Sequence, residues 1–310
     1  MKFERRQVLL AKIETTFGTD AAPTGAANAI LARNVAIRPM EGQDVSRDLV
    51  TPWFGAQPTI PTELHATLSF EVELAPSGTA GTPPAWGPLL RGCGCAQSTT
   101  GSSVTFNPIS TGFESLTFHF FQDGTRYRML GARGTASLRV AAQAIPVIAF
   151  QFTGLYEPVT DQANPTPTLS GWPQPQLATA ANTPVFTLAG TALVLREFEM
   201  SLGVAPELRD LIGADARRIM ITDRSETIRA TVEAVALATF DPFERGATGT
   251  PFALALTHGT GAGRVASLAA PRVQMQRPDG LAAQQGVVEW PLRMVPLPEA
   301  GDDQWTLTLT

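Results

Sequence analysis

The second half of the chain faintly repeats the first. At one constant offset, Leu31, Arg47, Asp48, Leu49 and Glu71 meet identical residues at Leu193, Arg209, Asp210, Leu211 and Glu233. A few extra residues in the second half then bring Gly81-Thr82-Pro83 onto Gly249-Thr250-Pro251, and Gly92 and Gly94 onto Gly259 and Gly261. Self-similarity on this scale predicts two copies of one folding unit fused in tandem, and such periodicity builds arrays or rings. The 310 residues leave room for a core in each copy.

Strand signals dominate both halves. Ser69 to Leu74 alternates, with Phe70, Val72 and Leu74 on one face and Ser69, Glu71 and Glu73 on the other, the pattern of a half-buried strand. Leu116, Phe118 and Phe120 share a face before Asp123-Gly124, a tight hairpin signal, and the chain returns through Arg126 to Leu130. Ile148, Phe150 and Phe152 close the first unit. In the second, Phe198 and Met200, Ile219 to Thr222, and Ile228 to Leu237 read as strands. Val288, Trp290, Leu292 and Met294 occupy the same relative place as Ile148, Phe150 and Phe152, and the chain finishes on Trp305, Leu307 and Leu309 alternating with threonines. The expectation is a mainly β protein of two antiparallel, sandwich or barrel-like domains, each with at most one short helix.

Between the halves, residues 161–182 hold Pro165, Pro167, Pro173 and Pro175, which a sheet interior rejects. The predicted division is therefore residues 1–160, a linker over 161–182, and residues 183–310. The best helix runs from Thr82 to Cys93, with Thr82 as cap, Pro83 in the first turn and Gly92 as stop, limited to about two turns by Pro88. Its apparent match, Pro251 to His258, alternates and reads as helix or strand. Gly131-Ala132-Arg133-Gly134 reads as a turn.

Charged residues make up only 16% of the chain, against roughly 25% in ordinary soluble domains. Much of the surface is thus uncharged or else covered by other subunits. With 23 Lys and Arg against 28 Asp and Glu there is no basic stripe, which excludes a stable nucleic-acid binder. Met1-Lys2-Phe3-Glu4-Arg5-Arg6 places charges where an export signal needs an apolar run, and no stretch of about 18 apolar residues suggests a membrane span; the expectation is assembly in a cytoplasm, with no membrane partner. Cys93 and Cys95 lack companion ligands and read as reduced, small residues. His65, His119 and His258 sit singly on strand-like segments and read as structural, and Glu71 with Glu73 has the spacing of a solvated face rather than of a glycosidase pair. No catalytic, cofactor or metal site emerges.

Two segments invite a functional reading. Glu41 to Thr62 is a long loop bearing Arg47, Asp48, Trp53 and Phe54, residue types that anchor interfaces. Gly203 to Arg218, with Arg209 and Asp210, is its counterpart. An intermolecular role is favoured over aromatics folding back on their own sandwich. The second segment is Glu14 to Thr24, polar and broken by Gly18 and Pro23.

Glu14 to Thr24 resembles the N-terminal arm of bacteriophage tail tube proteins, the major tail proteins of long flexible, non-contractile tails. The order that follows is similar to theirs: Ser46-Arg47-Asp48 in a long loop, Phe70-Glu71-Val72-Glu73-Leu74, then Pro84-Ala85-Trp86-Gly87-Pro88-Leu89-Leu90-Arg91-Gly92-Cys93-Gly94. Ile221-Thr222-Asp223-Arg224 and Gly301-Asp302-Asp303 before Trp305 extend the likeness. The resemblance implies a non-enzymatic virion subunit, located in the tail, that forms rings stacked into a tube through which DNA passes. The family's common ring has six copies of one domain, so a duplicated chain predicts a homotrimer with pseudo-sixfold symmetry, the alternative being a hexamer. Ring stacking is expected through Arg47, Asp48, Trp53, Phe54, Arg209 and Asp210. Glu71, Glu73 and Glu233 line the lumen on this reading, or else face outer solvent. The tape-measure, tail-terminator and distal tail proteins are the implied partners. A distal tail or tail-terminator ring, and in another class a carbohydrate-binding or adhesin-like β module, are the rival readings.

Overall fold

A computed structural model describes residues 1–214 and 216–310. The first half holds β1 (Gln7–Ile13), α1 (Gly25–Asn28), β2 (Ala29–Ile30), β3 (Arg33–Ser46), β4 (Thr59–Glu73), α2 (Gly87–Arg91), β5 (Cys95–Thr100), β6 (Ser103–Pro108), β7 (Leu116–Gln122), β8 (Thr125–Ala141), β9 (Val147–Tyr156) and β10 (Thr160–Asp161). The second holds β11 (Val185–Leu188), β12 (Thr191–Ala192), β13 (Leu195–Ser201), β14 (Val204–Arg209), β15 (Arg218–Arg224), β16 (Thr227–Glu233), α3 (Pro242–Thr248), β17 (Phe252–His258), β18 (Ala266–Met275), β19 (Ala282–Gln284), β20 (Val287–Pro296) and β21 (Thr306–Leu309). The fold is mainly β, antiparallel and sandwich-like, and the sheet does not close into a barrel.

In the first half the hydrogen-bonded order is β1-β7-β8-β9-β4-β3. In the second it is β11-β17-β18-β20-β16-β13. The registers match too: Phe70 stands opposite Phe150 and Val232 opposite Trp290. Both outer strands carry a register shift at the same point, between Arg33 and Ala36 and between Leu195 and Glu197. The long strand β8 joins the halves. Its beginning pairs β7, and its end, Ser137–Ala141, pairs Glu197–Ser201 of β13. One sheet therefore runs β3-β4-β9-β8-β13-β16-β20-β19 across the molecule.

The alternating strands bury the faces that their period-2 patterns select. Phe70, Phe118, Phe150 and Phe152 pack in one cluster, with 4.7 Å between the ring centres of Phe118 and Phe152 and 5.7 Å between those of Phe70 and Phe150. That cluster continues without a break through Phe198, Val232 and Trp290 to Trp305, Leu307 and Leu309. The last strand, β21, is a second tie between the halves, because it pairs β18 on one side and β6 on the other.

Several expectations change. Gly131 to Gly134 is not a turn but the middle of β8, where Gly131 at φ +58° forms a bulge and the register shifts between Leu130 and Arg133. A Cβ at Gly131 would lie 2.6 Å from the Phe17 ring, so the site excludes a side chain on two grounds. The helix expected over Thr82 to Cys93 shrinks to Gly87–Arg91, because Pro83 and Pro84 lie ahead of a turn closed by the Gly87 N–H on Pro84 O, and Pro88 supplies the first helical turn. Pro251 to His258 forms the strand β17, and the helix of that region comes earlier, as α3. Asp241 caps it by accepting from the Phe243 and Glu244 N–H groups, and Gly249 ends it at φ +66°. Strand β7 is buried on both faces rather than one, since the Glu14 to Thr24 segment covers its other side. Glu14 takes bonds there from the hydroxyls of Ser115 (2.6 Å) and Thr117 (2.8 Å) and from the N–H groups of Gly131 (2.7 Å) and Gly18 (2.8 Å). That segment is thus docked on its own unit and does not project as an arm.

Candidate assembly surfaces

Two surfaces remain once the cores are filled. The first is the polar face of the continuous sheet. Side chains alternating with the buried set stand on it: Ser69, Glu71 and Glu73 from β4, Ser137 and Arg139 from β8, Glu197 and Glu199 from β13, and Arg229, Thr231 and Glu233 from β16. Registry aligns them into cross-strand pairs. Arg33 Nε donates to Glu71 at 2.9 Å, Arg139 approaches Glu71 at 3.8 Å, and Arg139 Nε donates to Glu199 at 2.9 Å. This ladder of alternating charge crosses the seam between the halves. The Thr231 hydroxyl continues it by donating to Glu197 at 3.0 Å. All three carboxylates singled out in the sequence, Glu71, Glu73 and Glu233, lie on this one face, and Glu71 and Glu233 hold equivalent positions on β4 and β16. Interleaved arginines leave the face mixed in sign rather than acidic.

The second surface is a pair of hairpins. The stretch Glu41 to Thr62 is less of a loop than expected: β3 runs to Ser46 and β4 begins at Thr59, leaving residues 47–58 as the tip of a long ribbon. The tip presents apolar side chains to solvent. Trp53 is 71% exposed and Phe54, Val50 fully, with Leu49 beside them. Asp48, at φ +42°, turns the chain and accepts from the Ser46 hydroxyl at 2.7 Å, while the Arg47 N–H closes on Pro58 O. The aromatics therefore do not fold back on their own sandwich. In the second half β14 and β15 form a separate two-stranded ribbon from Val204 to Arg224, with Arg209 opposite Arg218 and Asp210 just beyond. Its stem lies on the first half: the Val204 N–H donates to Thr135 Oγ1, and Arg133 reaches Ile219 O at 2.9 Å. Its tip, Leu211 and Ile212, stays exposed.

A clamp that sequence reasoning left unassembled sits behind the second ribbon. Arg224 bonds Asp302 and Glu226, and its Nη1 donates to Ile109 O at 2.6 Å, while the Ser110 hydroxyl and N–H both donate to Asp302. Burial pushes the Asp302 carboxyl up, but the bonds from Arg224 and Ser110 outweigh it and hold the group below its ordinary range. Burial of Glu226 wins instead and raises it. The two short motifs around Asp223 and Asp302, distant in sequence, thus meet in space and tie β15 to the end of β6.

Among the described residues no group of acidic, His and Cys side chains is placed to hold a metal ion, and no helix is long and apolar enough to cross a membrane. Cys93 and Cys95 are free and buried, and burial pushes the Cys95 thiol up to about 12. His119 bonds Asp20 and His258 bonds Thr183, each serving its own strand. No curated protein matches the chain. A family model described as phage tail tube protein matches residues 4–290, nearly the whole length. The chain belongs to that family, which is structural and places it in the viral tail as a subunit of a self-associating tube.

Proposed function

We propose that this phage tail tube family member is the repeating subunit of the tube wall, a duplicated chain of which three copies close one ring with pseudo-sixfold symmetry. The observation that carries the reading is the repeated strand order, β1-β7-β8-β9-β4-β3 and β11-β17-β18-β20-β16-β13, joined edge to edge through β8 and β13. Six units in a ring have six junctions, and each duplicated chain makes one of them internally, so three chains leave three to form between chains. Residues 1–160 and 183–310 are the two units, and residues 161–182 are the strap between them.

The polar sheet face supplies the lumen wall. Glu71, Glu73 and Glu233 stand on it between arginines, and a surface of alternating sign offers passing phosphates no persistent counter-charge. The hairpin tips supply the axial contacts. Trp53 and Phe54 act as buried anchors in the neighbouring ring, while Arg47, Asp48, Arg209 and Asp210 set register. The exposure of Leu211 and Ile212 on a ribbon whose stem is already packed supports this division between stem and tip. The tape-measure, terminator and distal tail proteins are the expected partners along and at the ends of the tube, and assembly takes place in the host cytoplasm. Electron microscopy of the concentrated, purified protein tests the reading. Hollow tubes whose end-on views show six lobes from three chains are expected, and dispersed monomers at every concentration refute it.

A further inference from the structure

The seam inside the chain specifies the seam between chains. At the internal junction, Ser137, Leu138 and Arg139 of β8 pair with Ser201, Met200 and Glu199 of β13, and the Leu202 N–H extends the ladder to Ala136 O at 2.9 Å. Each of these residues has a counterpart in the other half, fixed by register rather than by sequence identity. Leu138 stands opposite Ile148, and Ala283 stands opposite Val288 in the equivalent hairpin, so Ala136, Ser137, Leu138 and Arg139 correspond to Leu281, Ala282, Ala283 and Gln284. On the other side, Glu197 faces Thr231 as Ala36 faces Ser69, so Glu199 corresponds to Arg38; β3 then carries one extra residue between Arg38 and Glu41, so Ser201, opposite Thr227, corresponds to Glu41, opposite His65.

Both counterpart segments are free edges. Among the described residues β3 pairs only with β4, and β19 only with β20. Burial separates the filled seam from the open ones. Ala136, Leu138, Ile148, Met200 and Leu202 are all buried at the internal junction, whereas Leu281 is 69% exposed and Val288, the equivalent of Ile148, 48% exposed. Met40 is exposed as well. A row of unpaired backbone groups flanked by apolar side chains is a template for another strand.

Resting on the ring reading above, we infer that the occupant of both edges is a second copy of this chain, with Arg38–Glu41 of one copy pairing antiparallel to Leu281–Gln284 of the next, Arg38 opposite Gln284 and Glu41 opposite Ala282. The contact is head-to-tail, so it closes into a ring once the rotation per copy completes a turn. It is shorter than the internal seam, because Gln285 and Gly286 form the tight turn into β20 at φ +53° and +80° and end the strand. The internal seam is thus the stronger of the two, and rings come apart between chains first.

The test uses the chain carrying both Arg38→Cys and Gln284→Cys, whose new thiols lie on exposed strand edges away from the buried Cys93 and Cys95. Mild oxidation of the assembled protein is expected to give a ladder of covalent dimer and closed trimer. The control Arg38→Cys with Ala282→Cys, shifted by two residues or roughly 7 Å along the strand, is expected to give none. Hydrogen exchange on the unaltered protein supplies a readout free of substitutions: amides over residues 38–41 and 281–284 gain at least tenfold protection on ring formation. Rings in the microscope without the specific crosslink or the protection overturn the edge assignment while leaving the ring reading intact. Absence of rings under all conditions overturns both.

Discussion

Replacing Trp53 and Phe54 together by alanine separates assembly from folding. Both rings are at the tip of the β3-β4 ribbon and touch little in their own chain, with Trp53 71% and Phe54 107% exposed. The single chain therefore loses almost nothing, and its melting temperature is expected to stay within about 1 °C, since surface changes away from packed features cost under ~0.5 kcal/mol. Between rings the account differs. Two aromatic side chains at these exposures offer roughly 300 Å² of apolar surface, which at about 25 cal/mol per Å² is an upper bound of about 7 kcal/mol per hairpin. Ordering the two side chains removes some 1 to 3 kcal/mol of that. A net loss of about 4 to 6 kcal/mol at each tip, repeated around a ring, is enough to abolish stacking at micromolar concentration. The assay is pelleting of tubes together with negative-stain imaging, alongside thermal denaturation of the dispersed chain. Tubes of unchanged length and yield refute the stacking role; a fall of several degrees in melting temperature shows instead that the tip packs on its own unit.

Other expectations follow from the same geometry. Glu71→Lys with Glu73→Lys turns the mixed sheet face basic at the cost of exposed ion pairs worth about 0 to 1 kcal/mol each, so tubes form but DNA ejection slows. Normal infectivity of virions carrying both changes places that face outside the lumen. Arg224→Ala removes the clamp and leaves Glu226, 6% exposed, without its charge partner; a loss of about 3 kcal/mol is expected in urea denaturation, and an unchanged midpoint means that Asp302 and Ile109 hold the ribbon unaided. Acid also weakens the fold. Burial lowers His119, against the pull of Asp20, and lowers His258. Both therefore take a proton less readily in the native state than when unfolded. That stability is complete above the ordinary histidine value of 6.5 and declines as pH falls below it. Melting temperature is expected to drop between pH 7.5 and pH 5.5, and by less in His258→Gln; equal drops in the two proteins exclude His258 as a source.

The legible parts of the sequence were those where one physical signal decides. Ser69 to Leu74 and Trp305 to Leu309 alternate because one face is buried and the other is not, and period 2 follows directly. Strand β7 defeats that logic, since Thr117 and His119 are buried against a segment about a hundred residues earlier, through partners that no local window shows. Gly131 to Gly134 has the composition of a turn, and only the bulge within β8 explains why glycine is needed there without a reversal. Helix α3 went unread although Asp241-Pro242 and Gly249 are its start and stop, because its short run of Phe243 to Thr248 has too few turns for an apolar stripe. The exposed tip residues and the carboxylates of the sheet face were found by residue type and alternation. Arg139, Glu199, Arg224 and the two open edges were not, because each gains its meaning from a pairing register set across the whole molecule.

The central claim is that three duplicated chains close one ring. Native mass spectrometry of rings released from tubes at low ionic strength measures it directly. The account predicts a species of three 33.0 kDa chains, 99 kDa, as the smallest closed assembly; a stable ring of six chains, or chains that never exceed 33.0 kDa, contradicts it.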